Sequence, residues 1–123
     1  GGYDLERRTG RIFSFDVTGG RYEETEYHAV GSGAVFARGS LKKLWRSGMT
    51  AADAVRVAVH ALVDASDDDS ATGGPDASRQ IWPIVATVTE AGYLRVSADT
   101  LAQVSAEIEA KRRAADATGG EPR

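Results

Sequence analysis

Residues 50–69, "TAADAVRVAVHALVDASDDD", constrain the fold more than any other stretch. Val55, Ala58, Val59, Leu62 and Ala65 recur at helical spacing, so the segment is an amphipathic helix that needs a second layer to cover its stripe. Thr50 and Asp53 resemble a capping box at its start, with Asp in place of the preferred Glu. The far end is odd. Asp67, Asp68 and Asp69 stand at the negative pole of the helix dipole, where an exposed carboxylate is disfavoured by about 0.3–1 kcal/mol. A solvated, glycine-closed Asx turn through "DSATGGPD" is the plain explanation.

The flanking segments supply candidate layers. "RIFSFDV" (11–17) alternates, with Phe13, Phe15 and Val17 expected on one half-buried face. After the "TGGR" turn, "YEETEYHAV" (22–30) reads as its hairpin partner. In 31–48 the residues Ala34, Ala37, Leu41 and Leu44 predict a helix with Trp45 beside the stripe. Its cations Lys42, Lys43 and Arg46 complement the dipole in the last turn, and Gly48 is the expected stop. "QIWPIVATVT" (80–89) is nearly all apolar and reads as a central strand buried on both faces, with an edge or bulge at Pro83. "LRVS" (94–97) pairs back onto it. Ser97 caps a last helix over 98–115, buried through Leu101, Val104 and Ile108, with Lys111, Arg112 and Arg113 at its dipole end. Residues 115–123 read as a flexible tail, so one domain spans roughly 1–114.

The order strand–strand–helix–helix–strand–strand–helix predicts an α+β layered sandwich. Four short strands make a poor sheet for three helices, so the chain reads as part of a domain.

Charge and composition exclude several function classes. A net charge of -3 with no clustered basic surface argues against nucleic acid. The absence of cysteine removes disulfides, thiolate metal sites and a cysteine nucleophile, and suits a reducing compartment. No apolar run approaches a membrane span. "GSGAVF" has Phe36 where a dinucleotide loop needs its last glycine, and Val30 and Ala34 break a nucleophile elbow around Ser32. A calcium loop from Asp68 would place Arg79 in the twelfth position, where a bidentate Glu belongs. A serine triad could be drawn from Ser32, His28 or His60, and Asp69, although each histidine has an ordinary surface explanation. Ser32 alone reads as an N-cap of the following helix.

Taken together, "HAVGSGAVFARGSLKKLW" followed one helix later by "DASDDDSATGGPD" resembles proteasome β subunits, and "SFDVTGG" and "AVGSG" are closest to the actinobacterial core particle. The likeness runs over nearly the whole chain but corresponds to the C-terminal half or so of such a subunit. It implies a threonine-dependent N-terminal-nucleophile hydrolase with a four-layer αββα sandwich fold, whose N-terminal half is absent from this chain. It also implies three supporting catalytic positions. Ser32 matches a serine whose hydroxyl lies beside the N-terminal threonine. Asp69 matches the aspartate that orients the same cluster. Thr72 takes the place of a second hydroxyl, often serine in relatives. The nucleophile, its lysine and a second aspartate would lie upstream; Gly1 has no hydroxyl, so this chain alone should be inactive.

The same resemblance implies a cytoplasmic endopeptidase that degrades unfolded proteins inside a ring-shaped particle, with no cofactor. Its partners would be the N-terminal half of the subunit, neighbouring β subunits, an α-subunit ring and, indirectly, an ATPase ring. Two readings compete: a non-catalytic α+β scaffold or oligomerisation module, and a stand-alone serine hydrolase using Ser32.

Overall fold

A computed structural model describes residues 1–119 of the 123. The described residues are α+β, with three helices and two small antiparallel sheets. Strands β1 (Gly2–Asp4), β2 (Thr9–Phe15) and β3 (Arg21–Glu24) form one sheet in chain order; β4 (Ala86–Thr89) and β5 (Gly92–Arg95) form the other. The helices are α1 (Ala34–Leu44), α2 (Ala51–Asp68) and α3 (Ala98–Gly119).

Aspartates make the turns of the first sheet. Asp4 Oδ1 accepts the amides of Glu6 and Arg7 at 3.0 Å each, bringing β2 back against β1. Asp16 Oδ1 accepts the Gly20 amide at 2.7 Å and the Thr18 hydroxyl at 2.8 Å, while Tyr22 donates to Oδ2 at 2.8 Å. This closes β2 onto β3, with Phe13 opposite Glu23. The expected strand over 22–30 ends at Glu24. The expected apolar face is also reduced. Phe13 is half-buried beneath the guanidiniums of Arg11 and Arg21, but Phe15 and Val17 are exposed because no described element covers that face of the hairpin.

Helix α2 is the hub. Its N-cap is Thr50, whose side chain accepts the Asp53 amide at 3.2 Å, one of the two bonds of a capping box, while the Asp53 carboxylate accepts from Arg56 at 3.3 Å. Two buried edges replace the single expected stripe. Val55 and Val59 pack with Leu101, Val104 and Ile108 of α3, flanked by Trp82, Val85 and Val96. Ala61 and Ala65 pack against Ala37 of α1, with Ala29 and Leu41 beside them. Small side chains at that second seam let two helix backbones approach closely. Ala58 faces neither seam and is exposed.

Ion pairs join α2 to α3 beside the apolar seam. Arg56 reaches Glu107 at 3.1 Å, and Arg112 bonds Asp67 with Asp64 at 3.9 Å. Arg112 and Asp67 are therefore partners across two helices rather than separate responses to helix dipoles. Helix α1 ends at Leu44 with Trp45 as its C-cap, short of the stop expected at Gly48. Trp45 is extended and its ring meets Tyr27 at 6.0 Å, which pulls the chain out of the helix.

The buried central strand expected at 80–89 does not form. Only Ala86–Thr89 is strand, Ile81 makes an isolated bridge with Asp76, and Ile84 is exposed. Pro83 lacks an amide donor, and Gln80 sits at φ 58°, so pairing cannot run continuously through 80–84. Ser97 caps α3 by accepting the Thr100 amide at 3.2 Å, and Leu101, Val104 and Ile108 are buried as the spacing required. Helix α3 continues to Gly119, beyond the end expected at 115; residues 120–123 of the expected tail lie outside the described residues. Among the described residues no helix is long and apolar enough to cross a membrane.

Candidate functional site

Ser32 and Asp69 are 37 residues apart in sequence and meet in space. The mutual packing of α1 and α2 is the cause. Residues 31–33 lead into α1, Asp69 is the C-cap of α2, and the alanine seam holds those two helix ends side by side.

Ser32 Oγ donates to Asp69 Oδ2 at 2.6 Å, and Thr72 Oγ1 donates to the same oxygen at 2.6 Å. The other carboxylate oxygen accepts the Ala71 amide at 3.2 Å, and the Thr72 amide reaches the Asp69 carbonyl at 3.1 Å. The expected Asx turn is present, and it does more than close on itself. Its carboxylate also gathers a hydroxyl from the start of α1. Ser32 is consequently not an N-cap: Gly33 holds that position, and α1 has no side-chain cap.

The chemistry follows from the count of donors and acceptors. An ionised carboxylate only accepts, so both hydroxyl protons are committed to Asp69. The remaining lone pairs of Ser32 and Thr72 are left to accept from a further donor, such as an ammonium group or a water. Hydrogen bonds from Ser32 first, then Thr72 and the Ala71 amide, hold the Asp69 carboxyl below its usual range. The site is thus a fixed negative charge that presents two oriented acceptors.

These hydroxyls border an apolar cleft of about 610 Å³, floored by Ala58, Ala61, Leu62 and Ala65 of α2 and walled by Ile12 and Ala29. The exposed Ala58 and half-buried Leu62, expected in the core, instead line this cleft.

The structure does not assemble a serine triad. His28 Nδ1 lies 3.5 Å from Glu24 and His60 Nδ1 lies 3.1 Å from Asp64, so each histidine faces its own neighbour four residues away. Asp68 makes none of the site's bonds, and Asp67 is engaged by Arg112. No group of three or more His, Cys, Asp or Glu side chains is arranged to hold a metal ion among the described residues. Sequence reasoning missed Gly33, which lies directly against Thr72 and Asp69; its place inside "GSG" was the available signal.

The amino-acid sequence is similar to those of known proteins. The family model described as "Proteasome subunit" matches residues 1–76, which include Ser32, Asp69 and Thr72. A "Proteasome subunit beta" from Acidothermus cellulolyticus (strain ATCC 43068 / DSM 8971 / 11B) is 56% identical over 117 residues, covering 92% of this chain and 40% of that protein. The chain therefore spans about two fifths of the length of this curated relative. With well over half of its residues matched by the family model, the chain belongs to the proteasome subunit family.

Proposed function

We propose that this chain is the C-terminal portion of a proteasome β subunit. Its role is to supply the supporting half of a threonine endopeptidase centre. The observation that carries the reading is that one oxygen, Asp69 Oδ2, accepts both the Ser32 and Thr72 hydroxyls at 2.6 Å. That arrangement leaves two acceptors for a donor brought by the rest of the subunit. An N-terminal threonine is the donor the family resemblance implies, and its α-amine has an ordinary pKa of about 7.7–8.0.

In this reading the nucleophilic threonine, its lysine and a second aspartate belong to the part of the subunit outside these residues. Ser32 and Thr72 hold the α-amine and the attacking water. Asp69 fixes both hydroxyls in the accepting orientation and favours the protonated amine that forms as the threonine hydroxyl attacks a peptide carbonyl. The apolar cleft is the surface on which the rest of the subunit packs to bring its nucleophile to Ser32. The complete subunit belongs to a four-layer αββα sandwich and works in the cytoplasm, within a ring of β subunits stacked on an α-subunit ring and fed by an ATPase ring. Its substrates are unfolded protein chains. This chain alone does not hydrolyse peptides.

The test is peptide hydrolysis by the complete, assembled subunit, together with intact-mass analysis after treatment with a threonine-directed electrophilic inhibitor. Asp69→Asn and Ser32→Ala should each lower kcat by roughly tenfold or more, as expected for losing hydrogen bonds to a charged group. The inhibitor adduct should fall on a threonine outside these residues. Full activity in both variants, or an adduct on Ser32, would refute the reading; an adduct on Ser32 would favour the serine hydrolase, and a folded protein with neither peptidase activity nor adduct would favour the scaffold alternative.

A further inference from the structure

The two glycines that flank Ser32 are required for different reasons, and the difference identifies another functional position. Gly31 sits at φ 101°, in the left-handed region, with open space where a Cβ would go. Gly33 is the reverse case. At φ -88° and ψ 3° its backbone is open to alanine, so conformation does not demand glycine there. Space does. A Cβ on Gly33 would fall within 3.0 Å of Thr72 Oγ1 and 3.3 Å from both Asp69 Oδ2 and the Thr72 Cβ. Gly33 is buried, and the atoms it touches are those of the hydroxyl–carboxylate cluster.

We propose that Gly33 is a positioning residue: the missing Cβ lets the 31–33 turn close onto Thr72 and Asp69, so that both hydroxyls reach one carboxylate oxygen. The catalytic consequence rests on the proposed function; the steric coupling between residues 33 and 72 does not. A methyl group at 33 cannot be absorbed by flexibility at the other side. Thr72 is β-branched and stiff at χ1, so its hydroxyl yields only by rotating to another rotamer, and that rotation removes it from Asp69. Gly33→Ala should therefore fold and lose the Thr72–Asp69 bond, with the consequences of Thr72→Ala.

A double-mutant cycle in the complete, assembled subunit tests this. Gly33→Ala is expected to lower kcat roughly ten- to a hundredfold with KM little changed. The same substitution should cost nothing further in a Thr72→Ala background. The second readout does not depend on activity. The ¹³Cγ titration of Asp69 should move upward in Gly33→Ala and in Thr72→Ala, by the same amount in the double variant. Gly39→Ala, a helical glycine whose Cβ would meet nothing within 4 Å, should leave both readouts unchanged. Additive losses in the double variant, or an unmoved Asp69 titration in Gly33→Ala, would overturn the inference. Coupled titrations with hydrolysis indifferent to Asp69→Asn would support the steric role of Gly33 while refuting the proposed function.

Discussion

Val59 has no solvent exposure and lies between Val55 on its own helix and the Leu101–Val104–Ile108 face of α3. Substituting Val59→Ala removes two carbons from a fully enclosed site. At about 0.8 kcal/mol per buried methylene the transfer loss is about 1.6 kcal/mol. The neighbouring helices close the void only partly, because α2 is held on its other edge by α1 through Ala61 and Ala65. A residual cavity of about 40 Å³ adds about 1 kcal/mol at 24 cal/mol per Å³. The expected destabilisation is therefore about 2–3 kcal/mol. Equilibrium urea unfolding followed by far-ultraviolet circular dichroism measures it. With a slope of about 1.5 kcal/mol per molar, the midpoint should fall by about 1.3–2 M at constant slope. Val35→Ala is the internal comparison, since Val35 is 69% exposed on the outer side of α1, and should shift stability by less than about 0.5 kcal/mol. A Val59→Ala change below about 1 kcal/mol at unchanged slope would show that the α2–α3 seam is not the core of the fold.

Replacing Thr50 by alanine removes the acceptor for the Asp53 amide and should cost about 1 kcal/mol in the same unfolding assay, with Thr50→Ser largely restoring it. Arg112→Ala should cost only about 0–1 kcal/mol, because its partners Asp67 and Asp64 remain partly solvated, and the difference should shrink in 1 M salt. Asp16 has its carboxyl lowered from 3.8 to about 2, chiefly by the Gly20 amide and then by the hydroxyls of Thr18 and Tyr22. A depressed carboxylate stabilises the fold above its unfolded value and loses that contribution as pH falls through the folded one. The β2–β3 turn should accordingly stay formed at pH 4 and open as the pH nears 2, read from the Gly20 amide resonance; a midpoint near 3.8 would refute the assignment of those donors.

The sequence made local features legible where one interaction type decided them. The Thr50 cap, the Ser97 cap and the buried Leu101–Val104–Ile108 face each follow from spacing and one side chain. The element order was legible for the same reason, except for β1 (Gly2–Asp4), an extra strand that the sequence reading did not expect. The 80–89 segment was misread because a continuous apolar run specifies burial without naming the partner, and Pro83 and Gln80 break the pairing locally. The α2 stripe was misread because a helix with neighbours on two sides needs two narrow edges rather than one broad face, which put Ala61 in the core and Ala58 outside it. At the site, Ser32, Asp69 and Thr72 were picked out by resemblance, whereas spacing alone suggested an N-cap and a solvated turn. Their meeting depends on the alanine seam between α1 and α2, a tertiary fact no local rule contains. Asp67 was likewise unreadable, since its partner Arg112 lies 45 residues away.

The continuity of α2 from its buried middle to its C-cap sets a rule of phase. Val59 and Asp69 are rigidly joined by helix, and each residue turns the chain by about 100° and advances it by about 1.5 Å. One residue inserted or deleted between them would keep the composition, the cap and most of the apolar character. It would also swing the Asp69 carboxylate about a quarter-turn away from Ser32. The 45–49 connection, which lies outside both helices, carries no such register. In this chain the count of residues within α2 is as strictly specified as the identity of the aspartate that ends it.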